Sequence, residues 1–74
     1  MTLNEITRVQ AYLRQAFANK RIAIQPPAKP NAPIEVRIGD EFIGVLHRDD
    51  DEGEVSYFLN ISILEEDLPP PDAV

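Results

Sequence analysis

The acidic stretch that follows His47 holds the residues best suited to chemistry. Five carboxylates fall within residues 49–54, and His47 is the one histidine of the chain. Grouped carboxylates could bind a divalent cation. They could also act as general acid and base if burial separated their pKa values. Each of these possibilities makes its own demand on the neighbouring sequence.

The neighbouring sequence does not meet the demands of a calcium-binding loop. Such a loop needs an oxygen ligand at position one, glycine at position six and a bidentate Glu at position twelve. Placing Gly53 at position six puts Arg48 at position one and Leu59 at position twelve. We therefore predict a solvent-exposed turn. Weak metal binding or catalysis centred on residues 49–54 is the alternative.

The rest of the chain offers little else for catalysis. There is no cysteine, and a lone histidine excludes a cluster of imidazole ligands. A single layer of sheet in 74 residues seldom forms a cleft. We predict that the protein is not an enzyme and has no cofactor, no metal and no catalytic residue. His47 is predicted to lie on the helix-covered face of the sheet or at its rim.

Length and composition bound the class of protein. Seventy-four residues make one domain, and the lack of cysteine suits a reducing cytosol. The N-terminus lacks the pattern of a signal peptide, and no apolar stretch approaches the roughly 20 residues that span a bilayer. The sequence therefore predicts a cytoplasmic protein without a membrane segment.

Charge is divided unevenly along the chain, whose net charge is -6. Residues 1–38 have a balance of +4, whereas residues 39–74 carry one base, Arg48, and have a balance of -10. The acidic half would repel nucleic acid, which argues against a nucleic-acid partner. The alternative is an RNA- or ribosome-associated protein that binds through a basic helix, with contacts from Arg8, Arg14, Lys20 and Arg21.

The N-terminal residues predict a helix over residues 3–18. Thr2 and Glu5 fit a capping box, and apolar residues then recur three and four apart at Leu3, Ile6, Val9, Leu13, Ala16 and Phe17. Glu5 and Arg14 fall off this stripe and are predicted to face water. Asn19 is predicted to take the left-handed conformation that stops the helix.

The remaining sequence predicts an α+β domain, in which one N-terminal helix packs on one face of a four-stranded antiparallel β-meander. The predicted strands are residues 22–25, 34–38, 41–47 and 55–64. Residues 26–33 read as a proline-rich connector, and Gly39-Asp40 as a two-residue hairpin turn. The domain is predicted to cover residues 1–67, and residues 68–74 to be a disordered, acidic, proline-rich tail.

The hairpin turn fixes a predicted register for its two strands. It pairs Ile38 with Glu41, Val36 with Ile43, and Ile34 with Val45. The face toward the helix then collects aliphatic residues, which the helix would cover with Ile6, Val9, Leu13 and Phe17. On the first and last strands the members of this face are Ile22, Ile24, Val55, Tyr57, Leu59, Ile61 and Ile63. The opposite face collects Phe42, Leu46 and Phe58 around Gly44.

Large apolar side chains on an open sheet face usually mark a partner surface. We therefore predict a protein-interaction module or accessory subunit whose contact residues are Phe42, Leu46 and Phe58. The partner would be a second copy, giving a homodimer, or a larger protein. In the competing interpretation, the connector or the tail, through Leu68, folds over these side chains.

The sequence resembles a family of short alphaproteobacterial proteins that is known only as a domain of unknown function. The resemblance lies in residues 39–46, Arg48-Asp49 and Asp51-Glu52-Gly53. Residues 11–14 are similar too, so the resemblance spans most of residues 3–67. It implies a bacterial cytosolic source and one stand-alone domain, and it assigns no activity, cofactor or functional residue. Residues 34–39 and 42–44 also resemble the opening of double-stranded-RNA-binding domains, but those domains end in a lysine-rich helix, whereas this chain ends in acids and prolines.

Overall fold

The predicted α+β architecture is confirmed: one helix is followed by a four-stranded antiparallel sheet in meander order. The computed structural model describes residues 1–30 and 32–73, so Asn31 of the connector and Val74 of the tail lie outside it. The elements are α1 (Leu3–Ala16), β1 (Ile22–Gln25), β2 (Ile34–Ile38), β3 (Glu41–Asp49) and β4 (Ser56–Asn60). Short 3-10 turns occupy Asp51–Gly53, Glu65–Asp67 and Pro71–Ala73. In the part of the chain described, no helix is long and apolar enough to cross a bilayer.

Helix α1 begins as predicted and ends two residues early. The Thr2 hydroxyl accepts from the Glu5 amide, and the Glu5 carboxylate accepts from the Thr2 amide, which completes the capping box. At the other end the amide of Asn19 donates to the carbonyl of Arg14 at 3.0 Å, the long bond of a Schellman motif. The left-handed residue is Ala18, with φ of 50°, so the prediction of Asn19 for this position is wrong.

A β-bulge displaces the predicted register between β2 and β3. Ile38 pairs with Glu41 across the Gly39-Asp40 turn, as predicted, with Gly39 at φ of 60°. Beyond Arg37 the pairing shifts, so that Val36 lies opposite Gly44 instead of Ile43, and Ile34 lies opposite Leu46. One extra residue on β3 turns every later side chain of that strand to the other face.

The core lies between α1 and one face of the sheet. Its buried side chains are Ile6, Leu13, Ile22, Ile24, Val36 and Leu46. Phe17, expected in the helix stripe, is exposed because the helix ends before it. Ile61 and Ile63 are also exposed, because β4 ends at Asn60 rather than at residue 64. The chain can leave the sheet at Asn60 because Gly44 has no side chain, and a Cβ at Gly44 would overlap the Asn60 carbonyl.

The two edges of the sheet differ. Along β1, the Gln10 side chain accepts from the Ile24 amide at 2.9 Å, and Nε of Arg14 donates to the Ile22 carbonyl at 2.6 Å. Helix side chains therefore occupy the outer backbone of β1. In the described residues no side chain bonds the outer backbone of β4, which forms the opposite edge. Because Arg14 bonds to the Ile22 carbonyl, the prediction that Arg14 faces water is wrong.

Candidate functional site

The sheet face turned away from α1, here called the second face, is the candidate protein-binding surface. The observed register assigns to it Ala23, Gln25, Glu35, Arg37, Phe42, Val45, His47, Asp49, Ser56, Phe58 and Asn60. Phe42 and Phe58 are 49 % and 52 % exposed. Within residues 1–30 and 32–73, no helix or strand packs over them. Two of the three predicted contact residues therefore lie where the sequence placed them.

Leu46 does not belong to the second face. It lies opposite Leu59 on the helix side and is 3 % exposed, a member of the core. The bulge at Ile43 is the cause, because it moves Leu46 inward and turns its neighbour His47 outward. His47 is exposed and lies opposite Phe58. The predicted placements of Leu46 and His47 are both wrong.

The two phenylalanines do not form the predicted cluster around Gly44. Phe58 lies opposite His47, five positions along β3 from Phe42. At the rise of an extended strand this separates the two rings by roughly 15 Å. Half-buried Val45 lies between them on the same face. The second face therefore presents a strip from Phe42 through Val45 to Phe58 rather than a compact patch.

The proline-rich connector borders this strip without covering it. Pro30, Ala32 and Pro33 line an open groove of about 770 Å³ together with Phe42 and His47. Leu68, which could have brought the tail across the face, is itself 51 % exposed. The competing interpretation, in which the chain buries its own phenylalanines, is therefore not what the described residues show.

The acidic stretch is an exposed turn. Its backbone reverses through the 3-10 turn Asp51–Gly53, with Glu52 and Gly53 both at positive φ. The Asp49 carboxylate accepts from the Asp51 amide at 2.9 Å, which uses one carboxylate to hold the turn itself. Among the described residues, no group of three or more His, Cys, Asp or Glu side chains is placed to hold a metal ion.

A charged network that the sequence reasoning missed joins the start of α1 to β3 and β4. Oε2 of Glu5 lies 2.7 Å from Nε of Arg48 and accepts from the Tyr57 hydroxyl at 3.2 Å, while Nη1 of Arg48 lies 3.1 Å from Asp50. The Thr2 amide and then Arg48 lower the pKa of Glu5 from its ordinary 4.5 to about 2. Glu5 in turn raises the pKa of Arg48.

This Glu5–Arg48 clamp contradicts the prediction that Glu5 faces water. One signal in the sequence could have revealed it. Glu5 is one of two acids in residues 1–38, and Arg48 is the one base in residues 39–74. Of these two acids Glu35 pairs locally with Arg37, and Glu5 pairs across the fold with the one base of the other half.

The basic residues of the alternative RNA site differ in how far they are engaged within the fold. Arg14 is half-buried and donates to the Ile22 carbonyl, and the Arg21 guanidinium packs against Gly39. Arg8 and Lys20 are exposed on α1 and beyond its end. Two of the four predicted contacts are thus engaged within the fold.

A second apolar depression lies on the helix side of the sheet. Helix α1 packs on β1, so part of the sheet nearer β4 stays uncovered. The resulting α1–β4 groove, of about 300 Å³, is lined by Arg8, Val9, Tyr12, Leu13, Leu46, Tyr57 and Leu59. Arg8 is its one charged lining residue in the described chain.

Comparison with protein families gives one assignment that covers most of this structure. The model of a family described as a protein of unknown function (DUF3126) matches residues 5–67, which include α1 from Glu5 onward, all four strands and both ends of the Glu5–Arg48 clamp. No curated protein and no solved structure matches the chain. The match extends over well more than half of the sequence, and the chain therefore belongs to the DUF3126 family of proteins of unknown function.

Proposed function

We propose that this protein is a non-enzymatic interaction module, an accessory subunit that binds another protein through the second face of its sheet. The observation that carries this proposal is the exposure of Phe42 and Phe58 on a face that no helix or strand of the described chain covers. Aromatic side chains, phenylalanine among them, are enriched in protein interfaces relative to the rest of the protein surface. Half-exposed phenylalanines on a small acidic domain suit such a role.

The charges around the strip indicate the chemistry of the partner. Glu41 and Asp49 end β3 on either side of it, and the acidic turn follows at once. The cation on the face itself, Arg37, is paired with Glu35 at 2.8 Å. A complementary surface would therefore have an apolar centre bordered by lysine or arginine. We propose this partner rather than a second copy through the same face, because two acidic rims would repel one another.

A non-enzymatic role is also supported by the position of the strongest electrostatic interactions. Glu5 bonds to Arg48 and accepts from the Thr2 amide of the helix cap, so the charges of the clamp serve the fold. The cysteine-free sequence supports the further proposal that the protein works in the cytoplasm. The alphaproteobacterial source implied by the resemblance stays a prediction.

The test is affinity capture from an extract of the native cell with three forms of the tagged chain: wild type, the double variant Phe42→Ser/Phe58→Ser, and Leu3→Ser. Leu3 is a matched control because it is exposed and lies on α1, away from the second face. We expect one set of proteins to be retained by wild type and Leu3→Ser and to fall at least about tenfold with the double variant.

Two results would overturn this proposal. One is equal recovery by all three forms, which would leave the phenylalanines without a role in binding. The other is recovery that disappears after ribonuclease treatment and weakens steeply with salt, because binding to phosphates has that salt dependence. The second result would favour the alternative RNA-associated protein, with Arg8 and Lys20 as its exposed contacts.

A further inference from the structure

The C-terminal arm, residues 61–72, continues beyond β4, and its first residues touch the sheet, with Ile61 beside Gly44 and Ser62 lining the groove near Phe42. All twelve of its residues are exposed, including four large apolar side chains: Ile61, Ile63, Leu64 and Leu68. The molecule is accordingly long, with extents of 46 × 25 × 24 Å and a radius of gyration of 14.3 Å. A compact domain of this length would have a radius near 11 Å. The arm thus exposes apolar surface that its own domain does not bury.

The α1–β4 groove offers a surface of matching chemistry. Its walls are aliphatic and aromatic, from Val9, Leu13 and Leu59 to the rings of Tyr12 and Tyr57. Arg8 lies at its rim, and the ion pairs of the described residues involve Arg37 and Arg48 but not Arg8. The arm carries Glu65, Glu66, Asp67 and Asp72 and no base. Apolar groups and charges are therefore complementary between the two.

We propose that the arm of one copy docks in the α1–β4 groove of a second copy, in a reciprocal dimer. Every copy carries both an arm and a groove, so a two-fold axis satisfies both contacts at once. An arm of twelve residues reaches roughly 40 Å when extended, enough to cross from one domain to the next. The second face stays open in this dimer, so the inference is independent of the partner-binding role proposed above.

Charge reversal gives a test in the full-length chain. One variant, Arg8→Glu, makes the groove rim acidic; the other, Glu65→Lys/Glu66→Lys, makes the arm basic. Sedimentation equilibrium over a range of protein concentrations measures the dimer dissociation constant. We expect wild type to dimerise and each variant alone to do so at least about tenfold more weakly, because like charges then face each other.

Mixing the two variants supplies the decisive measurement. In a mixed pair the acidic rim meets the basic arm, and the unchanged Arg8 meets the unchanged acidic arm, so both contacts are attractive again. We expect the mixture to regain a dissociation constant within about threefold of wild type. Leu3→Ser is the control for an exposed apolar residue of α1 outside the groove, and it should leave the constant unchanged.

Three outcomes would overturn the inference. Wild type could remain a monomer at all concentrations, as it would if the arm docked on its own domain. The dimer could persist unchanged in both charge variants. It could also be abolished by Phe42→Ser/Phe58→Ser while the charge variants and their mixture behave as wild type. That last result would place self-association on the second face.

Discussion

Glu5 ties the start of α1 to β3 by a bond of 2.7 Å to Nε of Arg48, although 43 positions separate the two residues in sequence. The same carboxylate caps the helix through the Thr2 amide at 2.8 Å. One side chain thus performs a local and a long-range function. It caps the start of α1, and it fixes where that start lies relative to the sheet. The clamp adds a second point of attachment for the short helix, whose backbone comes closest to β1 among the strands.

We predict that Glu5→Gln lowers the free energy of unfolding at neutral pH and flattens its dependence on acid pH. The pKa of Glu5 is about 2 in the fold against an ordinary 4.5, so its contribution is full above pH 4.5 and is lost as pH falls toward 2. Urea denaturation at a series of pH values measures both effects. Glu54→Gln, at an exposed acid of the turn, is the matched control. Parallel wild-type and Glu5→Gln curves through this window would contradict the assignment.

Local pattern was sufficient to predict the helix, all four strands and the Gly39-Asp40 turn. The bulge at Ile43 was not predictable, because Ile43-Gly44-Val45 alternates equally well in either register. The length of β4 was overestimated for a related reason. Ile61 and Ile63 continue the alternation, but the bare backbone of Gly44 lets the chain turn away at Asn60. Periodicity therefore identified strands but could not count the residues paired across them.

Leu46 and His47 are neighbours that test the observed register directly. We predict that Leu46→Ala costs about 2–5 kcal/mol, because it leaves a cavity in the core. His47→Ala should stay within about 0.5 kcal/mol of wild type, because that side chain is exposed. Chemical denaturation measures both. If β3 had no bulge, His47→Ala would lower the free energy of unfolding more than Leu46→Ala.

Ala18 holds the left-handed position of the Schellman motif at the end of α1, with φ of 50°. We predict that Ala18→Gly raises the free energy of unfolding by about 1 kcal/mol, because glycine adopts this conformation without steric cost. Ala11→Gly, the same change at an exposed position inside α1, should lower it by about 1 kcal/mol. Equal effects of one sign at both positions would show that Ala18 is not left-handed in solution.

The candidate site was predictable only in part. Phe42 and Phe58 were placed correctly because each lies in a stretch whose phase does not depend on the bulge. Leu46 was misplaced because it follows the bulge on β3. The clamp was missed because Glu5 had a sufficient local explanation as a capping residue, and its distant partner lay in a stretch dominated by acids. Contacts between residues far apart in sequence leave no periodic trace.

Gln10 shows how the helix protects the edge of the sheet. We predict that Gln10→Ala costs about 1 kcal/mol and speeds amide hydrogen exchange at Ile24, because the buried residue loses the acceptor of its amide. Gln15→Ala is the matched control, at an exposed helix position whose side chain bonds to no described residue. Exchange at Ile24 that is unchanged in Gln10→Ala would mean that the contact does not persist in solution.

The protection of one edge has a consequence for how far the sheet can grow. Gln10 and Arg14 occupy the outer backbone of β1, so a new strand can join only beside β4. If two sheets joined along β4, the β1 strand of each copy would form an outer edge that its helix blocks. No further strand could then be added, and the joined sheet would stop at eight strands, twice the four of one chain. A sheet with two open edges can add strands without limit and form a fibre. In this protein the helix blocks one edge of the sheet, so such growth stops.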